Sequence, residues 1–522
     1  MRLRSLCEVL RAFCLLLFLF PAGCSGGDRL PGYLVLRLTF NPTTLDPALI
    51  VDVAGGGLAA KLFNGLVRLD PHMNVVPDIA SSWTISADAM TYHFRLRPGV
   101  RFANGREVTA EDFRYSFMRV LAPKTRSPNT WVFEKIRGAR DFMEGRAPDV
   151  RGIEVLDSLS LRITLERPFS PFLHLLTMTA AYVVPREAVE QLGPDFAVRP
   201  VGTGPFVVAE WKHNAHLRLA RNPGYFSDRP NVEGIVYRVI PEDLTAVTEF
   251  ELGNLDLLGI PGSEYRRYLS SPKWSGLIAS GQSLNTYYLG FNCAKPPFDN
   301  PRLRRAVASA IDTRRILATF YDGRGRHAAG PVPENLRTWS LSGSQAYDPE
   351  KARRVIREEG AEGSRVRLFI TADQEVVDMA EIIQSYLRSA GLDVVIMQLE
   401  WSAYKAAVNR GDADLYWLSW WADYPDPENF LFPLFHSANH GPSGNRSFYT
   451  NRTVDRLIEE GQATADPARR REAYRRAEQI IVDDAPWVFF WHKTDYVLRQ
   501  PNVKRYRLHP IYSIDKGTEV EL

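Results

Sequence analysis

The chain has 522 residues, with 64 Lys and Arg against 61 Asp and Glu, a net charge of +3 that gives no basic surface for nucleic acid. At roughly 150 residues per domain, the length predicts about three domains or lobes. Four cysteines in so long a chain exclude a disulfide scaffold.

The first residues read as an address. Arg2, Arg4 and Arg11 precede a nine-residue apolar run, "AFCLLLFLF" (12–20), followed by "PAGC". A bilayer span needs roughly 20 apolar residues, so this segment predicts a secretory signal (1–23) and an exported protein. The small residues before Cys24 resemble a bacterial lipobox, although Pro21 stands where that pattern prefers Leu. The resemblance implies that Cys24 is lipidated and anchors the mature chain to a membrane. Cys7 and Cys14 then leave with the signal, and Cys293 remains as a small apolar side chain without a disulfide partner. Removing 1–23 takes away three Arg and one Glu, so the net charge falls to +1.

Strand and helix patterns alternate from there on. "YLVLRLTF" (33–40) and "TYHFRLRPGVRFANG" (91–105) alternate with period two, the latter with Pro98-Gly99 and Asn104-Gly105 as hairpin turns. A helix is predicted over 109–121, with Thr109 as N-cap and acids in its first turn. "SLRITLERP" (160–168) is a strand. "VGTGPF" (201–206) reads as a tight turn with positive-φ glycines. One long amphipathic helix is predicted over 301–320 and another over 380–391, stopped by Gly391, with a strand at 392–400. The helix at 466–486 carries an arginine run on a solvated face. Hairpins together with β–α units predict an α/β protein with mixed sheets in more than one lobe.

No catalytic constellation emerges. His-Glu-x-x-His, Gly-x-Ser-x-Gly and the phosphate-binding loop are absent. His436 and His440 have the i, i+4 spacing that grips zinc on a helix, but Asn439, Gly441, Pro442 and Gly444 mark a loop. Neither a metal nor a cofactor is expected, nor an enzyme. "WWADYPDPENF" (420–430) is different: a carboxylate, Asp423, follows an apolar run and precedes two prolines. By itself Asp423 reads either as an Asx-turn residue or as a pocket carboxylate awaiting a cation.

Several blocks in order resemble the peptide and oligopeptide solute-binding proteins of bacterial ABC importers: "TLDPALIVD", "LFNGLVRLDP", residues 77–121, "GTGPF", "LARNPGYF", "YYLGFNCAKPPFDNPRLRRAVASAID" and "LSWWADYPDPENFLFPLF". The resemblance implies a periplasmic-binding-protein clamp of two mixed α/β lobes with an inserted domain. Lobe I would comprise 25–63, 185–285 and 496–522, the inserted domain 64–184, and lobe II 286–495. It also implies a monomer that delivers short peptides to ABC permease subunits from the periplasm or outer cell surface.

In the family, the aspartate of the Ala-Asp-Tyr stretch pairs with the ligand's α-ammonium, a match that falls on Asp423. Trp417, Ser419, Trp420, Trp421 and Tyr424 would surround the ligand from lobe II, and "IVDV" (50–53), with Val51 and Val53, would be the extended counterpart on lobe I. Of Trp420 and Trp421, alternation sends one to the cleft and the other to the core. Some oligopeptide receptors carry an arginine six residues before the aspartate; Trp417 stands there, which implies a different length preference. Relatives of this fold bind nickel complexes, sugars or opine-like compounds, and these remain alternatives.

Overall fold

A computed structural model describes residues 29–342 and 346–522. The expected signal segment and Cys24 lie outside the described residues.

Three large sheets organise the chain. Tyr33–Leu38 runs parallel to Gly234–Val239, which continues antiparallel through His216–Arg221 to Phe206–Lys212. Ala80–Ile85, Thr91–Leu96, Ser160–Thr164 and Ile153–Asp157 form an antiparallel sheet. The third sheet has eight strands and mixes both directions. Its long strand Trp487–Arg499 pairs at its start with Asn285–Phe291 and at its end with Ile278–Gln282 and Leu257–Gly259. One continuous strand therefore joins two apolar cores. The four-stranded antiparallel sheet has its own core, built around Phe94, Phe113, Phe117 and Leu161. The α/β class with mixed sheets is as the sequence predicts.

Local chemistry explains most element limits. Helix Ala110–Leu121 starts where the Asp112 carboxylate accepts from both the Thr109 N–H (2.8 Å) and the Thr109 hydroxyl (3.0 Å). Helix Gln374–Ser389 begins under the Asp373 cap, and Gly391 follows with φ +104°. Pro467–Asp484 starts under Asp466.

Two expectations are corrected. The predicted helix 301–320 is two helices, Pro301–Ala310 and Thr313–Thr319. Ile311 is extended, and the Asp312 side chain accepts from the Arg315 N–H at 2.9 Å, so a capping residue restarts the helix rather than continuing it. Gly202 and Gly204 do not have positive φ. They are needed for close approach: a Cβ on Gly202 would lie 2.0 Å from the Leu62 carbonyl oxygen. The Gly204 N–H donates to that same oxygen at 2.9 Å, closing the end of helix Val53–Leu62.

Candidate functional site

Strand Leu415–Trp421 has two unequal edges. One side pairs antiparallel with Asn285–Phe291 over its whole length. On the other, Arg365–Thr371 reaches only Leu415 and Tyr416. In an antiparallel pair, alternate residues turn their N–H and C=O to opposite edges. The Ala422 N–H donates to the Leu284 carbonyl at 2.9 Å. By that parity Leu418 and Trp420 bond inward, and the main-chain groups of Ser419 and Trp421 point to the open edge. The Trp417 carbonyl has the same parity and is taken by the Tyr404 hydroxyl at 2.6 Å, which closes the edge there. Two residues about 6.8 Å apart along the strand are left to pair with something else.

Side-chain alternation sorts the tryptophans. Trp417 is only 7 % exposed and packs on Phe490 (ring centroids 4.8 Å apart) and Trp491 (5.8 Å). It therefore belongs to the lobe core and not to a ligand surface, because the sheet is covered at that end of the strand. Trp420 lines a cavity. Trp421 is on the opposite face but not in the core: it is 43 % exposed, with its indole N–H donating to the Ser419 hydroxyl at 3.3 Å. Of the two, Trp420 thus lines a cavity, while Trp421 does not enter the core as alternation predicts, because the sheet face under the strand's last residue is uncovered.

The loop after the strand carries three carboxyl groups with different surroundings. Asp426 is buried, with both oxygens on Arg470 (2.7 and 2.8 Å) and His174 at 3.5 Å. Arg470, predicted to face water with the rest of its run, is instead pinned to this carboxylate. Glu428 accepts from the Tyr424 hydroxyl and from the Gln462 amide (2.6 Å), and burial pushes its carboxyl up to about 7. Asp423 has no cation in contact among the described residues. Its main-chain N–H donates to Asn429 Oδ1 (2.9 Å), and Asn429 Nδ2 donates back at 3.3 Å. Burial raises the Asp423 carboxyl to about 6, against the opposing pull of that Asn429 bond. Tyr424 is buried and lines the cavity together with Glu428, to which its hydroxyl donates, and its ring lies 6.3 Å from that of Trp131.

The cavity is about 680 Å³, and its walls come from stretches far apart in sequence: Val51, Trp131, Lys135, Trp420, Asp423 and Tyr512. The segment ending at Val51 is held by Asn129, whose side-chain amide donates to the Ile50 carbonyl at 2.9 Å. Val51 is 68 % exposed and lines the cavity. Val53 does not; it opens the helix Val53–Leu62, since the Asp52 side chain accepts from the Gly55 N–H at 2.7 Å and turns the chain. The expected extended segment 50–53 therefore ends at Asp52. Tyr512 lies flat on this helix over Gly56, where a Cβ would approach its ring to 2.4 Å. Trp131, Lys135 and Tyr512 escaped the sequence reading, having no local motif.

His436 and His440 are occupied separately. His436 Nδ1 accepts from the Ala438 N–H (3.2 Å) and its Nε2 lies 3.3 Å from Glu459, while His440 Nε2 is 3.1 Å from the Tyr449 carbonyl. Burial raises the Cys293 thiol to about 12, consistent with an inert packing role.

The profile of the bacterial extracellular solute-binding proteins, family 5 (middle), matches residues 74–442. The chain belongs to this family. This family-5 protein is 28 % identical to di/tripeptide-binding protein 2 of Pseudomonas aeruginosa over 485 residues, 88 % of each chain. It is 29 % identical to heme-binding protein A of Haemophilus influenzae, covering 92 % of this chain and 91 % of that one. Among solved structures, it is similar to the ABC transporter-associated periplasmic binding protein DppA from Helicobacter pylori in complex with peptide STSA. That match has a TM-score of 0.79 and 27 % identity, and covers 94 % of this chain and 98 % of that one. No helix among the described residues is long and apolar enough to cross a membrane.

Proposed function

We propose that this family-5 protein captures short peptides by their common parts and delivers them to an ABC permease. The observation that carries the reading is the Asp423 carboxylate, which has no cation in contact among the described residues and lines a cavity two residues beyond the open strand edge. A peptide always has an α-ammonium and a main chain, whatever its side chains are. The ammonium suits Asp423, and the main chain suits Ser419 and Trp421 as an added strand. An exposed ion pair gives only about 0–1 kcal/mol. Enclosed between Trp420, Trp131 and Tyr512, the same pair is desolvated, so losing either partner costs several kcal/mol.

Two open-edge residues and a cavity within the roughly 300–1,000 Å³ of small-ligand sites favour peptides of two to four residues. The names of the related di/tripeptide-binding protein and of the peptide complex support the same ligand class. A division into lobe I (25–63, 185–285, 496–522), inserted domain (64–184) and lobe II (286–495) accounts for the walls. Val51 and Tyr512 would then come from the first, Trp131 and Lys135 from the second, and Trp420 and Asp423 from the third. The receptor works as a monomer outside the cytoplasm, held at the membrane through lipidated Cys24.

Denaturing mass spectrometry of ligand released from purified, signal-free protein tests the reading. A ladder of short peptides is the expected result. A single non-peptide compound would keep the fold and overturn the peptide assignment.

A further inference from the structure

The cavity holds a second ionisable group that the account above leaves without a task. Lys135 lines it, and its ammonium makes no hydrogen bond or ion pair among the described residues. What surrounds it is aromatic: Nζ lies 5.6 Å from the centroid of the Phe169 ring and 6.0 Å from that of Phe432. The neighbouring acids, Glu428 and Glu134, line the same cavity, but neither makes an ion pair with the ammonium. Glu428 is bonded to Tyr424 and Gln462, and Glu134 accepts from the Thr130 hydroxyl at 3.3 Å. Burial, with Arg167 and Arg140, holds the Lys135 ammonium below the usual lysine range against the opposing pull of Glu428 and Glu134. Two rings stabilise an ammonium without supplying acceptors for its three N–H donors, which leaves those donors to the cavity.

Among the described residues, the same cavity therefore presents a carboxylate with no cation in contact, Asp423, and an ammonium with no carboxylate in contact, Lys135, which are not paired with each other. A ligand with one charge would satisfy only half of it. Resting on the reading of Asp423 as the ammonium site, we propose that Lys135 is a specificity residue that receives a carboxylate of the bound peptide, so that the receptor selects zwitterions. The shared chemistry is a carboxylate across the cavity from the ammonium, whether it is the C-terminus or an acidic side chain.

The test is calorimetric titration of wild type and Lys135→Met with di-, tri- and tetra-alanine, each as the free acid and as the C-terminal amide. Wild type is expected to bind at least one free acid tenfold or more tightly than its amide, and Lys135→Met to bind both forms alike. If amidation is without effect, Ala-Glu-Ala amide against Ala-Gln-Ala amide asks the same of a side chain, and discrimination lost in the variant assigns the carboxylate there. Lys135→Arg, which keeps the charge, should restore discrimination and guards against a folding defect in the methionine variant. Lys135→Met that still discriminates acid from amide overturns the proposal, as does wild type that discriminates neither pair. Failure of the ammonium reading is separate: N-acetylated tri-alanine would then bind as tightly as the free peptide.

Discussion

Replacing Asp423 with Asn tests the ammonium site with almost no change of shape. The Asn429 contacts survive, because an Asn side chain still offers an oxygen to Asn429 Nδ2, and the main-chain bond at 2.9 Å is untouched. Ligand affinity should fall steeply, since the ammonium of a bound peptide would be left desolvated without its partner. A loss of about 2–5 kcal/mol corresponds to roughly 30- to several thousand-fold in Kd. Stability should move the other way. The carboxyl rises from 3.8 unfolded to about 6 in the empty protein, so the folded state holds its proton more tightly.

For such a raised carboxyl, stability is lost as pH climbs from about 4 through 6, and the penalty then stays at neutral pH. At about 1.4 kcal/mol per pH unit, and discounting for partial exposure, it is on the order of 2 kcal/mol. The Asn variant, stripped of ligand, should therefore melt no lower than wild type at pH 7.5, with its advantage vanishing by pH 4. Calorimetry of di- and tripeptide binding together with thermal melts across pH 4–8 measures both. Wild-type affinity should fall as pH drops through about 6, when Asp423 protonates; the variant should lack that component, and any contribution of Glu428 is common to both proteins. A variant that binds within threefold of wild type, or that melts well below it at neutral pH, refutes the reasoning.

Other outcomes check the remaining parts. Trp420→Ala should cost more than tenfold in peptide affinity, while Trp421→Ala, altering a half-exposed ring on the opposite face, should cost clearly less; equal losses would contradict the face assignment. Trp417→Ala should show its effect in thermal stability, by about 3–5 kcal/mol, through the cavity left against Phe490 and Trp491. Arg470→Met leaves the Asp426 carboxylate buried without its main cation, so denaturant titration should show a loss of about 3–5 kcal/mol. Cys24→Ser should move the full-length protein from the membrane to the soluble fraction; a variant still sedimenting with membranes removes the lipid anchor.

Capped helices and alternating strands were readable because their causes are local. Thr109 with Asp112, Asp466 and Gly391 sit within a turn of the ends they set. The 301–320 region shows the limit: the apolar stripe runs through, and only the competition between the Asp312 cap and helix continuation decides the break. The blocks from "TLDPALIVD" to "LSWWADYPDPENF" were enough to suggest the clamp, and with it the special place of Asp423.

By itself, the sequence determined an α/β chain and a carboxylate in a stiff, proline-flanked loop, because propensity, caps and periodicity act over a few residues. Whether that carboxylate was paired could not be read from it. Asp423, Asp426 and Glu428 are equivalent in one dimension, yet Arg470, 44 residues on, neutralises one, while Tyr424 and Gln462 hold another. Trp417, Trp420 and Trp421 likewise look alike in the sequence. The partial reach of Arg365–Thr371 and the covered sheet face at Trp417 sort them into core, cavity wall and exposed surface. Lys135 likewise reaches the cavity only through folding, since the cavity walls come from segments that meet from far along the chain.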